Sequence, residues 1–507
     1  CVRSRGGGAR APEGARAAAS RAERSPGGLP TLGRMTPTTS NVPTTPNPLL
    51  APAGAPTAVQ IAADVRAGRH TAVEVVEASL ARIAEVNPTL RAFTVVTAES
   101  ARAEAAAVDA LAPAERGPLA GVPVAIKVES DVAGHVTTYG GRGFSTPAAE
   151  DAEVVRRLRA AGAVVVGLTA MPEFGQFPFT ESAAHGTVVN PAARLRTPGG
   201  SSGGTAAAVA SGCVPVALGG DGGGSIRIPA AACGLFGLKP TRGRTSAAPQ
   251  ADLWGALGVK GPLTRTPEDS ALVYDVIRGT VAADRWSAAD PARPYAEAIA
   301  ERGPRRVAWL TQPPRGPVRV DDEVVAAVEA TADRLAAAGH EVVAAQGRFP
   351  DVQTSFVPQF FASLRACVAG AEHPERLEAR TRQTARMGAW ATASVQRRAE
   401  AAGERMRQRF RQRFAGFDAV LSPTLACLPP ELGRLDGVSN VRGLVRALPM
   451  IAFTTHANVT GLPAASLPAA PSREGLPIGV QLTGLDDDEG VLLALASELM
   501  AGATPAG

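Results

Sequence analysis

The chain reads as an α/β protein: a large mixed β-sheet covered by helices on both faces, an α/β/α sandwich. Three observations predict this. Apolar residues follow helical spacing from residue 57 to about 112, the pattern then breaks into short β-branched runs, and those runs alternate with helical or glycine-rich stretches. With 507 residues and 45% hydrophobic content, the chain can also bury a core of that size.

In the first stretch Ile61, Val65, Val73, Val76, Leu80, Ile83 and Val86 recur mostly at three- and four-residue steps, with Gly68 and Pro88 as punctuation. The runs at 122–128, 164–166 and 214–218 predict strands. Further strands are expected at 306–310, 341–344 and 419–421, with a helix over 322–338. Residues 351–416 read as mainly helical. Within them seven arginines (Arg397, Arg398, Arg405, Arg407, Arg409, Arg411, Arg413) sit beside Val395, Ala399, Ala402, Met406, Phe410 and Phe414, which keep helical spacing. This is a solvated arginine face on an amphipathic helix rather than a nucleic-acid patch. Residues 49–507 are expected to form one domain, with 281–416 as its more variable, substrate-side region.

The net charge of +5 is misleading. Residues 1–34 hold seven arginines and two glutamates, which leaves 45 basic and 45 acidic residues for the rest. A nucleic-acid binder needs its basic excess on the folded body, so that class is excluded. Residues 1–48, basic and then Pro/Thr-rich, carry no apolar periodicity and are expected to be disordered, and residues 1–34 of them dispensable. Met35 offers a more ordinary start than Cys1; an Arg-rich leader and an acylated Cys1 are the rival readings, and no lipobox supports the second. No apolar run approaches the roughly 18 residues of a membrane span. The five cysteines are odd in number and lack CxxC spacing, which reads as free thiols in a reducing, cytoplasmic setting. The six histidines form no i, i+4 pair and no HExxH, so no metal site is expected. Neither glycine cluster continues into GK[ST], so ATP is not indicated and no cofactor is expected.

The chemistry concentrates in three segments: GVPVAIK (121–127), TPGGSSGGTAAAVASG (197–212) and ALGGDGGGSIRIPAA (217–231). Glycine-rich loops let backbone N–H groups approach a ligand closely, so a serine on one stands beside donors for an oxyanion. Such a serine still needs a base. Only three of the 52 basic Lys and Arg residues are lysines (Lys127, Lys239, Lys260), and a buried ammonium can lose a proton that guanidinium keeps. Lys127, at the end of an apolar strand, is therefore the candidate base for Ser201 or Ser202 and Ser225. Asp221 and Arg227 flank Ser225 as an ion pair that would pin its loop. Ser201 also sits in a formal G-x-S-x-G at 199–203, but RLRTPGG ahead of it is no apolar strand, and no later histidine block follows.

Taken in order, GGSSGG, DGGGSIRIPAA, GLFGLKPTRG (234–243), FDAVLSPT (417–424) and GLPIGVQLTG (475–484) resemble the amidase signature family of Ser-cisSer-Lys amidohydrolases, from about residue 57 to the C-terminus. The resemblance implies the amidase signature fold. It implies Ser225 as nucleophile, Ser201 as bridging serine after a cis peptide with Gly200, and Lys127 as base. It further implies an oxyanion hole from the N–H groups of Gly222, Gly223, Gly224 and Ser225, with Ser202 either orienting Lys127 or packing the loop. The activity implied is hydrolysis of a small linear amide through an acyl-enzyme, without cofactor; a homodimer is left open. Met171, Phe177, Trp254 and His456 are candidate pocket residues, and Phe360, Phe361 and Trp390 add to the aromatic set.

Two departures stand out. The family commonly has Thr or Ile where this chain has Gly222, which puts loop rigidity and the pocket floor in question. Its TNMPEF is here TAMPEF, with Ala170 in place of Asn. Two other functions share the scaffold: the glutaminase subunit of a tRNA-dependent amidotransferase, and a catalytically inactive binding protein. The segment MPEFGQFPFTES (171–182) differs from the MDEFAMGSS-like form of the first, and intact catalytic positions argue against the second.

Overall fold

Two threonines start the first helices of the computed structural model, which describes residues 47–250 and 254–501. Thr57 and Thr71 each accept a hydrogen bond from the backbone N–H three residues on, while Gln60 and Glu74 reach back to the threonine N–H. These reciprocal caps satisfy helix-end donors and fix the starts of Ala58–Arg66 and Ala72–Leu90. Pro88 does not end the second helix as its sequence position suggests. The helix runs two residues past it and stops at Arg91, which takes a left-handed φ of 54°. The expectation for the tail falls on residues 1–46, outside those described, and on Asn47 and Pro48.

The strands, in chain order, are β1 (Phe93–Val96), β2 (Pro123–Lys127), β3 (Val164–Thr169), the short ribbon β4 (Glu181–Ser182) with β5 (Gly186–Thr187), β6 (Val216–Gly220), β7 (Phe236–Lys239), β8 (Lys260–Thr264), β9 (Arg306–Trp309), β10 (Glu341–Ala344), β11 (Ala419–Pro423), β12 (Ala464–Pro468) and β13 (Gly479–Gly484). Apart from the ribbon they form one sheet in the order β1-β3-β2-β6-β8-β7-β12-β13-β11-β9-β10. Pairing is parallel at β3-β2-β6 and at β11-β9-β10 and antiparallel elsewhere, so the sheet is mixed. Successive side chains of a strand point to opposite faces, and every residue of β2, β3, β6, β7, β8, β11 and β13 is buried. Both faces of the central sheet are therefore covered.

The strands expected at 122–128, 164–166, 214–218, 306–310, 341–344 and 419–421 are present, as is a helix at Asp322–Ala337. Strands β1, β4, β5, β7, β8, β12 and β13 were not expected: β1 interrupts the stretch read as helical over 57–112, and glycine and proline within or beside β7, β8, β12 and β13 hide the β-branched signal. The arginine-rich helix, Ala393–Arg413, buries Ala399, Gly403 and Phe410 and leaves Arg397, Arg398, Arg405 and Arg409 exposed. Arg407 pairs with Asp487, and Arg411 donates to the Leu485 carbonyl. Among the described residues no helix is long and apolar enough to cross a membrane.

Candidate active site

Three neighbouring strands end side by side. β2 lies next to β6 with Ile126 opposite Leu218, and β6 lies next to β8 with Gly220 opposite Lys260. This places Lys127, Gly220 and Lys260 at one edge of the sheet, just where the glycine-rich loop leaves β6. Lys127 is 1% exposed and Lys260 5%. Lys127 Nζ donates to Ser201 Oγ at 2.8 Å and lies 3.0 Å from Glu129 Oε2. The other oxygen of Glu129 lies 3.2 Å from Lys260 Nζ. Burial holds Lys127 below the usual ammonium range, against the pull of the Glu129 carboxylate. Burial would push Glu129 up, but the two ammoniums outweigh it and hold it at about 2. The sequence carries no signal for Glu129, and for Lys260 only the rarity of lysine in this chain. The third lysine, Lys239, donates to the Pro240 carbonyl at 2.6 Å and does not line the cavity.

Ser201 and Ser202 stand at the start of the buried helix Gly203–Ala210, and the Gly200–Ser201 peptide is cis. Gly175 faces Ser201 closely: a Cβ there would come within 2.8 Å of Ser201 Oγ. Ser202 takes the second of its two implied roles and does not orient Lys127. Its hydroxyl donates to the Gly220 carbonyl at 3.3 Å, and its N–H to the Ser225 carbonyl at 3.3 Å, so it ties the two serine loops together.

Ser225 leads into the helix Arg227–Cys233. Asp221 and Arg227 form a fully buried bidentate pair, with both contacts at 3.0 Å. Asp221 also accepts from the N–H groups of Gly224 (2.7 Å) and Ile226 (3.2 Å), and Asn458 Nδ2 donates to it at 2.8 Å. Arg227 donates in addition to Gln481, Asn458 and the Thr454 carbonyl. The anion thus fixes the loop from inside, and that removes Gly224 from the expected oxyanion hole because its N–H already has a partner. Among the described residues no hydrogen bond occupies the N–H groups of Gly222, Gly223 or Ser225, or the Ser225 hydroxyl. Burial favours a neutral Asp221, yet the Arg227 guanidinium holds it at about 2. Arg227→Met is expected to strand that charge and lower unfolding free energy by about 3–5 kcal/mol, read from the denaturant midpoint. A loss below about 1 kcal/mol would show that the pair does not hold the loop.

Lys127, Ser201, Gly222, Gly223 and Ser225 line a cavity of ≈ 220 Å³. Its wall is largely apolar, from Phe177, Ile228, Trp254, Phe356, Leu448 and Ile451 among others; Phe360 and Phe361 also reach it. Trp254 lies over Gly222, where a Cβ would meet the indole at 3.1 Å, so the indole occupies the space that a side chain at 222 would fill. Three candidates are misplaced. Met171 is buried in the main core and lines no part of the cavity. Trp390 is 48% exposed and packs edge-on against Phe361 from outside. His456 is enclosed by Phe349 and Phe410, with ring centroids at 5.2 and 4.2 Å, and burial lowers it to about 3. It is an aromatic core residue that happens to be a histidine. Asn458 and Gln481, which hold Arg227, carried no signal in the sequence.

Comparison with known proteins gives a consistent neighbourhood. The family model described as Amidase matches residues 74–493. A protein of Mycobacterium tuberculosis (strain ATCC 25618 / H37Rv), described as "Putative amidase AmiB2", is 43% identical over 453 residues, 89% of this chain and 96% of that one. The solved structure of 6-aminohexanoate cyclic dimer hydrolase with substrate superposes with a TM-score of 0.81 at 32% identity, over 88% of this chain and 96% of that one. A bacterial aryl acylamidase of the amidase signature family superposes with a TM-score of 0.79 at 25% identity, over 89% and 97%.

Proposed function

The chain belongs to the amidase family and is a hydrolase of amide carbon–nitrogen bonds; from that premise we propose that it cleaves small apolar amides through an acyl-enzyme on Ser225. The observation that carries this reading is the 2.8 Å hydrogen bond from Lys127 to Ser201 in the wall of the cavity that Ser225 also lines. Neutral Lys127 takes the Ser201 proton, and Ser201 takes the proton of Ser225 as its oxygen attacks the carbonyl carbon. The oxygen that gains charge is received by the N–H groups of Gly222, Gly223 and Ser225. The carbon–nitrogen bond then breaks as Ser201 returns a proton to the nitrogen, since an amide anion leaves poorly. Water follows the same route against the ester, releasing the acid and restoring Ser225.

Among the described residues no hydrogen bond joins Ser201 Oγ to Ser225 Oγ, and catalytic hydrogen bonds often tighten only when substrate is bound. Apolar walls favour aryl or medium aliphatic acyl groups in linear amides over polar ones. Initial rates across acetamide to octanamide, benzamide, anilides and glutamine test the reading. Rates should rise with acyl chain length before the pocket is full. Glutamine as the best substrate would overturn the apolar assignment.

A further inference from the structure

Glu129 makes a bridge that the reaction above does not account for. Its carboxylate spans Lys127 and Lys260, which belong to strands two apart in the sheet, a separation of about 9–10 Å at ordinary strand spacing. The strand between them ends in Gly220, and a Cβ on Gly220 would lie 1.9 Å from Glu129 Oε1. The missing side chain is the channel through which the carboxylate reaches both ammoniums. Glu129 is 4% exposed, so water does little to compensate its charge.

The count of charges decides what Lys127 can do. With Glu129 alone, loss of the Lys127 proton would leave a buried carboxylate unpaired, which is costly. With Lys260 present, the same loss leaves a closed Glu129–Lys260 pair, and protonated Lys127 is the surplus cation. We propose that Glu129 and Lys260 are positioning residues for the base: Glu129 holds Lys127 Nζ against Ser201, and Lys260 supplies the cation that lets Lys127 give up its proton. This rests on Lys127 being the base in the reaction proposed above. The other groups that face this cluster are Asp221, already paired with Arg227, and Tyr139 and Cys367, whose acidic protons are held more tightly by burial and by Glu129 itself.

The test is the pH profile of kcat/KM, because a group that merely packs changes its height and not the position of its acid limb. The base form is required, so activity rises with pH as Lys127 deprotonates, and anything that holds its proton more tightly moves the limb to higher pH. Lys260→Met is expected to move it up by about one pH unit or more, cutting activity at pH 7 at least about tenfold. Lys260→Arg, which keeps the cation, should move it much less. Adding Glu129→Gln to Lys260→Met should bring the limb back down, since the uncompensated anion is then gone. A folded Lys260→Met enzyme with an unmoved limb overturns the proposal. If Lys260→Met does not fold, the isosteric Glu129→Gln decides: its limb should move to lower pH, and an unmoved or raised limb overturns it. Ser225→Ala run alongside separates the two claims, because activity surviving in that variant rejects the acyl-enzyme reading, whereas a dead Ser225→Ala with an unmoved Lys260→Met limb rejects only this one.

Discussion

Ser225→Ala is expected to lower kcat by roughly four to six orders of magnitude while the thermal midpoint stays close to that of the parent chain. The loop around Ser225 keeps its geometry without the hydroxyl. Asp221 holds it through the N–H groups of Gly224 and Ile226, and Thr454 Oγ1 donates to the Gly223 carbonyl at 2.7 Å. What is lost is the hydroxyl that shares the cavity wall with Ser201 and, among the described residues, has no other hydrogen-bond partner. Intact-mass spectrometry with a slowly deacylating substrate, or a fluorophosphonate label, checks this directly: the parent chain should gain one adduct and Ser225→Ala none. An adduct retained in the variant would put the nucleophile elsewhere.

Lys127→Arg is expected to be nearly as damaging as Lys127→Ala, although it preserves charge. The guanidinium does not lose its proton at working pH, and next to Glu129 it would form a stable pair instead of serving Ser201. The site is also closed to a larger head group, with Lys127 only 1% exposed and already 2.8 Å from Ser201 and 3.0 Å from Glu129. Retention of more than about a tenth of the parent kcat would mean a loss under ~1.4 kcal/mol, too small for removal of the general base. In the parent chain kcat/KM should rise with pH along an acid limb below the usual lysine range, the direction in which burial moves Lys127.

What the sequence could reveal depended on how far apart the cooperating residues lie and what kind of contact joins them. Lys127 and the serine loops stood out because each sits in a short, unusual string. Glu129 did not: its tie to Lys260 is 131 residues long and exists only because β8 folds back antiparallel beside β6. The resemblance implied Gly224 in the oxyanion hole, and a motif cannot say which N–H a neighbouring carboxylate will claim. His456 was expected near the substrate because the resemblance brings its segment to the pocket, whereas its surroundings are the rings of Phe349 and Phe410. The strands flanking the sheet's middle, β3-β2-β6 on one side and β11-β9-β10 on the other, show as β-branched runs, whereas β1 at the edge is hidden by the helical spacing around it. Those in the middle, such as Phe236–Lys239 and Lys260–Thr264, owe their conformation to neighbours on both sides and not to their own residues.

The apolar wall around Trp254 also bears on how such an enzyme acquires new substrates. A pocket that selects by contact with hydrocarbon distinguishes neighbours differing by one methylene by only about 1–3 kcal/mol, whereas a site built on hydrogen bonds to the substrate rejects a mismatch far more strongly. Discrimination here is therefore expected to be graded, a slope across chain length and ring size in place of a lock on one compound. The indole over Gly222 is where that slope is expected to tilt most easily, because it is a single side chain beside the N–H groups proposed to receive the oxyanion. On the proposed reading, trimming it is expected to admit bulkier acyl groups without touching Lys127, Ser201 or Ser225. Substrate range and catalytic apparatus can thus vary separately, and one scaffold can shift from one nitrogenous compound to the next by changes in its lining alone.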